Sequence, residues 1–167
     1  MAVLRLSEIK SRARRIAYTS FGCLPPRVRR GVVGVVAPSF TVGALAVISD
    51  GDEVLFVTSL HRPGLALPGG LLKKGDAPRA ALDRELSEEL GISPAGLSTT
   101  PDAAHVDPGK TRVDLIYFLR VDRRQLLPEA GCEVVSFQWR RVDDPALTPQ
   151  TSEIFTAIAE RIRQPID

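Results

Sequence analysis

Four carboxylates crowd the segment LDRELSEELGI at residues 82–92: Asp83, Glu85, Glu88 and Glu89. On a helix, Glu85, Glu88 and Glu89 stand at i, i+3 and i+4 and leave from one face. Like charges at that spacing cost a helix roughly 0.2–0.5 kcal/mol per pair. Burial would sharpen the repulsion and raise the proton affinity of the group. Arg84 can neutralise part of this charge, and a divalent cation can neutralise more, because hard cations prefer carboxylate oxygen. The ordinary alternative is a solvated acidic face with an arginine partner, and Asp83 fits that description. Context favours the ligand reading for the glutamates. The residues just upstream, LPGG at 67–70, place two glycines where backbone groups can approach a ligand closely.

The spacing around these residues carries a resemblance. Gly70, five residues, Asp76, seven residues and then Arg84-Glu85-Leu86-Ser87-Glu88-Glu89-Leu90-Gly91-Ile92 resembles the Nudix box, matching eight of its nine defined positions. A match of this length is far more specific than a short glycine motif. The departure is Asp76, where the family pattern has Glu. A shorter acid there can still cap the helix or reach Arg84. The resemblance implies that Glu85 and Glu89 are the main ligands of Mg²⁺ or Mn²⁺. Glu88 would be a further ligand or the base that activates water, and the Gly70 carbonyl would complete the metal shell. Arg84 would orient the glutamates. Gly69, Gly70, Arg84 and Arg62 form the expected substrate-binding set.

Other residues carry weaker signals. His61 and His105 are the only histidines and have no partner at metal-ligand spacing; each reads first as a surface or satisfied histidine. Arg62, Lys73 and Lys74 could contact phosphate or be solvated loop cations. Pro108, in DPGK at 107–110, lies where ADP-ribose pyrophosphatases of the family resemble this chain, and a plain Pro-Gly turn is the competing reading. Phe137 and Trp139 alternate along an expected strand and read as core. Cys23 and Cys132 are far apart in sequence and read as two reduced thiols.

The elements that must position these residues follow from pattern. TVGALAVI at 41–48 is a nearly continuous apolar run, as in a strand covered on both faces. SDGDE forms a turn, and VLFVTSL at 54–60 completes an expected hairpin. HRPG reads as loop and 65–70 as a short extended piece. A helix is expected over 77–90, with Asp76 as N-cap, Pro78 in its first turn and Gly91 as its stop. Leu82, Leu86 and Leu90 form its core-facing stripe. Strands are expected at 112–121, with Val113, Leu115, Tyr117 and Leu119 on one side, and at 133–142, with Val135, Phe137 and Trp139 together. A closing helix follows Thr148–Pro149, with Ile154, Phe155, Ile158, Ala159 and Ile162 on its apolar face. A short helix at 7–19 and a connector at 27–38 precede all of this. The order predicts an α/β chain with a mixed sheet and helices on both faces, similar to the Nudix α/β/α sandwich, plus a basic helical extension.

At 167 residues, with 44% apolar and 25% charged residues, the composition is that of one globular domain. No run is long enough to span a bilayer, and the start lacks the apolar core of a secretory signal, so a cytoplasmic location is expected. The net charge of +2 conceals an asymmetry: residues 1–30 carry +7 and the remainder −5. The expected division is a basic extension at 1–37 and a Nudix domain at 38–167. A contact of the arm with nucleic acid or an acidic partner, its packing on the body and a homodimer all stay open at this level.

The expected activity is Mg²⁺-dependent hydrolysis of the pyrophosphate bond in a nucleoside diphosphate linked to another group, ADP-ribose or a nucleotide-sugar first. Pyrophosphohydrolysis of nucleoside triphosphates, oxidised ones included, is the alternative. A Nudix-fold module that binds a nucleotide without cleaving it is the reading from another class.

Overall fold

The computed structural model describes residues 11–12, 19, 21–36, 39–107 and 109–163. The chain divides into two compact units, Met1–Ser39 and Phe40–Asp167. Most of the helix expected at 7–19 lies outside the described residues. The connector expected at 27–38 is instead largely helical, as α1 (Pro26–Val36). The Pro25–Pro26 pair separates this helix from helical residues ending at Cys23. Pro26 occupies the first helical position, where a missing N–H costs little, and the Pro25 carbonyl accepts the N–H groups of Val28 and Arg29 at 3.0 Å each.

In the second unit, one seven-stranded sheet is organised around β1 (Thr41–Asp50). Along one edge β1 runs parallel to β6 (Arg112–Arg120), in register from Thr41↔Arg112 to Ser49↔Arg120. Its other edge is shared. β2 (Glu53–Ser59) pairs with it only at Ser49↔Val54 and Asp50↔Glu53, and β4 (Gly69–Leu71) takes Gly43 to Leu45. The expected hairpin therefore exists only at its tip. Beyond the turn β2 leaves β1 and pairs antiparallel with β7 (Val134–Arg141) and with β3 (Arg62–Ala66). The splayed pair provides opposite walls of the cavity described below.

Three further differences have local causes. β3 begins at Arg62, inside the expected loop, because an edge strand tolerates Pro63. β5 (Ala103–Asp107), antiparallel to β6, lies in a segment read as loop; its AAHVD sequence has no apolar alternation, and Val106 faces solvent. In β7 a register shift between Ser136 and Val134 skips Val135. Val135 is thereby 58% exposed while Val134 is buried, so Val135 does not share the inner face with Phe137 and Trp139.

Both faces of the sheet are covered. Ala44, Ala46 and Ile48 of β1 pack with Tyr117 and Leu119 against Leu82, Leu86 and Leu90 of α2 (Pro78–Leu90), with Phe137 and Trp139 at the margin. Leu45 and Val47 point the other way and join Phe56, Ile116 and the Ile154, Phe155 and Ile158 face of α3 (Pro149–Arg163). Strict alternation of apolar side chains on β1 thus serves two cores, giving the expected α/β/α sandwich. Among the described residues, no helix is long and apolar enough to cross a membrane.

Candidate active site

Helix α2 presents the glutamates. Its leucine stripe is fully buried, which turns Glu85, Glu88 and Glu89 toward the Gly69–Gly70 end of β4. The helix starts one residue later than expected. Ala77 is the N-cap and makes no side-chain cap bond. Asp76 does not cap it; its carboxylate accepts the Lys73 N–H at 3.0 Å and lies 3.5 Å from Arg84 Nη2. The short acid therefore still reaches the arginine. Gly91 ends the helix in the left-handed region at φ 65°, its N–H directed at the Leu86 and Ser87 carbonyls.

Arg84 ties the carboxylates together. Its Nη1 donates to Glu85 Oε1 at 2.5 Å and to Glu88 Oε2 at 3.3 Å. Asp83 stands apart, paired with Arg79 at 2.9 Å. Glu89 is bound by backbone instead and accepts the Gly69 N–H at 2.8 Å. Gly69 is sterically required, while a side chain on Gly70 would displace the Glu85 carboxylate. A Cβ on Gly70 would sit 2.5 Å from the Glu85 carboxyl carbon, and one on Gly69, at φ 126°, would sit 2.2 Å from the Ala44 carbonyl oxygen.

The electrostatics single out Glu89. Burial raises its proton affinity, the Gly69 N–H opposes that, and repulsion from Glu85, Glu133 and Glu88 adds to it, so that its pKa rises from 4.5 to about 7. Glu133 escaped the sequence reading because it lies outside the box with no spacing to mark it. The 129–131 segment brings it in. The Glu129 and Gly131 N–H groups each donate at 2.8 Å to the last carbonyls of α2, those of Leu90 and Glu89. A Cβ on Gly131 would lie 1.9 Å from the Glu88 carbonyl oxygen.

Two cavities meet at Glu89 and Glu133. One, of about 290 Å³, is bounded by Glu85, Glu88, Glu89, Cys132 and Glu133. The other, of about 280 Å³, opens between the splayed strands, where Leu45, Val57 and Ile154 give it apolar walls. Its polar groups include Gly69, Gly70, His61, Arg112 and Gln150. The box glutamates, both glycines and Arg84 are thus brought together. His61 borders the second cavity. His105 is half-buried on β5, and its Nδ1 has no hydrogen-bond partner among the described residues. Arg62 opens β3, but its side chain, like Pro108, lies outside what the structure describes. Lys73 is engaged through its backbone. Lys110 folds back on Asp107 at 2.9 Å, closing the β5–β6 turn and holding the Asp107 carboxyl below its usual range. Both cysteines are free thiols on the surface.

The donor set suits a hard divalent cation: four carboxylates and a glycine backbone, with one carboxylate driven toward protonation by desolvation and by its neighbours. The side chains are not drawn into a coordination shell. Among the described residues no three His, Cys, Asp or Glu groups converge on one point, because Arg84 and the Gly69 N–H hold the oxygens. Exchange of those contacts for a cation is a side-chain movement.

The sequence profile of the NUDIX domain matches residues 39–160. The chain belongs to the Nudix family. It is a Nudix pyrophosphohydrolase, acting on phosphoric anhydride bonds. No curated protein matches its sequence significantly. Solved structures do resemble it. A nudix hydrolase family member from Chromobacterium violaceum aligns at TM-score 0.63 and 22% identity, over 78% of this chain and 84% of that one. A MutT NUDIX hydrolase from Burkholderia pseudomallei aligns at TM-score 0.56 and 25% identity, over 67% and 92%. A bifunctional NMN adenylyltransferase/ADP ribose pyrophosphatase from Francisella tularensis, complexed with AMP and a Mn ion, aligns at TM-score 0.59 and 18% identity, over 80% of this chain and 45% of that one. At these identities the neighbours establish the Nudix fold, while the choice of substrate rests on this chain's own residues.

Proposed function

We propose that the protein hydrolyses the pyrophosphate bond of a nucleoside diphosphate linked to another group, with Mg²⁺, or Mn²⁺ in its place, as cofactor. ADP-ribose or a nucleotide-sugar is the first substrate class. The observation that carries this reading is Glu89, held by the Gly69 N–H at the junction of the two cavities beside three other carboxylates, with a proton affinity raised first by desolvation and then by those neighbours. A half-buried carboxylate among like charges is one that a cation would relieve. Glu85, Glu89 and the Gly70 carbonyl would hold the ion, with Glu88 beside them. When bound, it supplies charge neutralisation on the phosphoryl oxygens and a more acidic water.

The chain's own residues do the rest. Arg84 keeps Glu85 and Glu88 in a common orientation. The glycine backbone lets the diphosphate approach without a side chain in the way. Glu88, the more exposed of the glutamates, takes the proton from the attacking water. Water adds to one phosphorus, the anhydride P–O bond breaks, and two phosphorylated fragments leave. A bifunctional NMN adenylyltransferase/ADP ribose pyrophosphatase that shares the fold is complexed with AMP and a Mn ion, which is in keeping with a nucleotide substrate and a divalent metal. Nucleoside triphosphates are the alternative, supported by the MutT neighbour. The contact between Asp76 and Arg84 argues against a module that only binds, since the departure from the family pattern leaves the arginine supported.

The test is turnover of a panel of ADP-ribose, nucleotide-sugars and natural and oxidised triphosphates, with Mg²⁺ and with chelator, in the wild type and Glu89→Gln. Metal-dependent cleavage of the linked diphosphates, lost by on the order of 100-fold or more in the variant, is the expected result. Equal activity in the variant refutes the role given to Glu89. Preferential cleavage of triphosphates selects the alternative, and ligand-induced stabilisation without product selects the binding module.

A further inference from the structure

The cavity between β1 and β2 has a cation on its wall that neither the box nor the metal chemistry uses. Arg112, the first residue of β6, lines it. Its Nε donates to Asp114 Oδ1 at 2.7 Å, and Gln150 Nε2 of α3 donates to Asp114 Oδ2 at 2.9 Å. Asp114 is 1% exposed, so a full carboxylate is buried at the expense of its hydration and is retained by these two donors. The arrangement fixes the guanidinium by one edge. Its two Nη groups make no hydrogen bond to a described residue, which leaves the rest of the donor fork for the cavity.

The position of that fork is set by Gly43. A Cβ there would lie 2.6 Å from Asp114 Oδ1, 3.1 Å from Arg112 Nη2 and 3.6 Å from the Gly70 carbonyl oxygen. The guanidinium and the Gly70 carbonyl thus border the same small space above a residue that has no side chain. Gly70 in turn packs on the Glu85 carboxylate. The guanidinium and Glu85 therefore lie on opposite sides of the Gly70 backbone, and Arg112 and Glu89 line the same cavity.

We propose that Arg112 binds the second phosphate of the substrate's diphosphate, the one farther from Glu85 and Glu89, and that Asp114 is its positioning residue. This rests on the pyrophosphohydrolase reading above. An arginine offering two parallel N–H groups matches phosphate oxygens in a way a lysine cannot. The Asp114 contact through Nε leaves that pair of donors available while removing the side chain's freedom to swing away.

Calorimetric binding in Mg²⁺ of methylenediphosphonate, which has two linked phosphonates and resists hydrolysis, and of methylphosphonate, which has one, tests the assignment without a nucleobase. The wild type is expected to prefer the diphosphonate. Arg112→Gln should weaken the diphosphonate by about 10- to 100-fold, the scale of a charged hydrogen bond, and leave the monophosphonate unchanged. Arg112→Lys should recover part of the loss. Asp114→Asn should lose in the same direction, and the double variant should lose no more than Arg112→Gln alone, as for residues acting through one contact. Melting curves confirm that each variant is folded. No preference in the wild type, unchanged diphosphonate binding in Arg112→Gln, or equal loss of both ligands each overturns the proposal. If the binding pattern holds but no linked diphosphate is turned over, the anchor stands and the proposed reaction falls. If turnover is present and the pattern is absent, the reverse is true.

Discussion

At the scale of single residues, Glu89 contributes opposite effects to stability and to chemistry. Its folded-state pKa of about 7 lies above the 4.5 of the unfolded chain. Between those values Glu89 holds more protons in the native than in the unfolded chain, so its contribution to stability is fully present below pH 4.5 and is lost as pH rises through 7. The full difference corresponds to about 3 kcal/mol, reduced by the solvent access of a half-buried group. Metal-free Glu89→Gln should therefore be more stable than wild type at pH 8 and similar to it at pH 4.5, with Mg²⁺ stabilising only the wild type. Thermal melts in chelator at both pH values check this, and a variant that is less stable at pH 8 would contradict it. Gly70→Ala is the steric counterpart. Its Cβ meets the Glu85 carboxyl group at 2.5 Å, so Glu85 must rotate away. We expect turnover to fall at least tenfold with a small change in melting temperature; retained activity would show that Glu85 has room to move.

At the scale of elements, the carboxylate face depends on two supports, the leucine stripe of α2 and the 129–133 strap across its C-terminal end. Gly131→Ala would place a carbon 1.9 Å from the Glu88 carbonyl oxygen. That neighbour is backbone, so the strap must lift and forfeit its bond to the Glu89 carbonyl. A loss of roughly 1–3 kcal/mol is expected, with faster amide exchange at 129–133 and weaker activity as Glu133 moves out. Unchanged exchange there would remove the strap from the site's architecture. The two supports also show what a sequence discloses. The stripe was legible because helical periodicity repeats one residue type at 82, 86 and 90. The box was legible because its chemistry is local to one helix and the turn before it. The strap, Glu133, Asp114 and Arg112 were not, since each joins the site through long-range pairing that leaves no spacing to read. The β1–β2 pair was legible at its Asp-Gly turn but not in its divergence, which β4 and β7 impose from elsewhere in the chain. The bulge at Val135 went unread for the same reason.

At the scale of the whole molecule, the two compact units differ in charge as well as in packing. The +7 of residues 1–30 is carried by a segment outside the 39–160 region that matches the Nudix profile. Among the described residues, both cores, both cavities and the hydrogen bonds of the carboxylate face are built from residues beyond 40. We propose that the catalytic unit folds and turns over without the extension, and that the extension acts by charge. A chain beginning at residue 38 should then melt within about 3 °C of the full protein, a difference of less than about 1 kcal/mol, and keep its kcat/KM. The full chain should bind single-stranded RNA with an affinity that falls steeply with salt, because each phosphate contact releases a counterion, and the truncated chain should lose that binding. Melting, turnover and a salt titration of RNA binding separate the outcomes. A truncated chain that unfolds or is inactive shows that the basic segment is part of the enzyme's structure. One that is folded and active but still binds RNA with the same salt slope moves the nucleic-acid contact onto the catalytic unit, whose net charge of −5 makes that the less favourable surface.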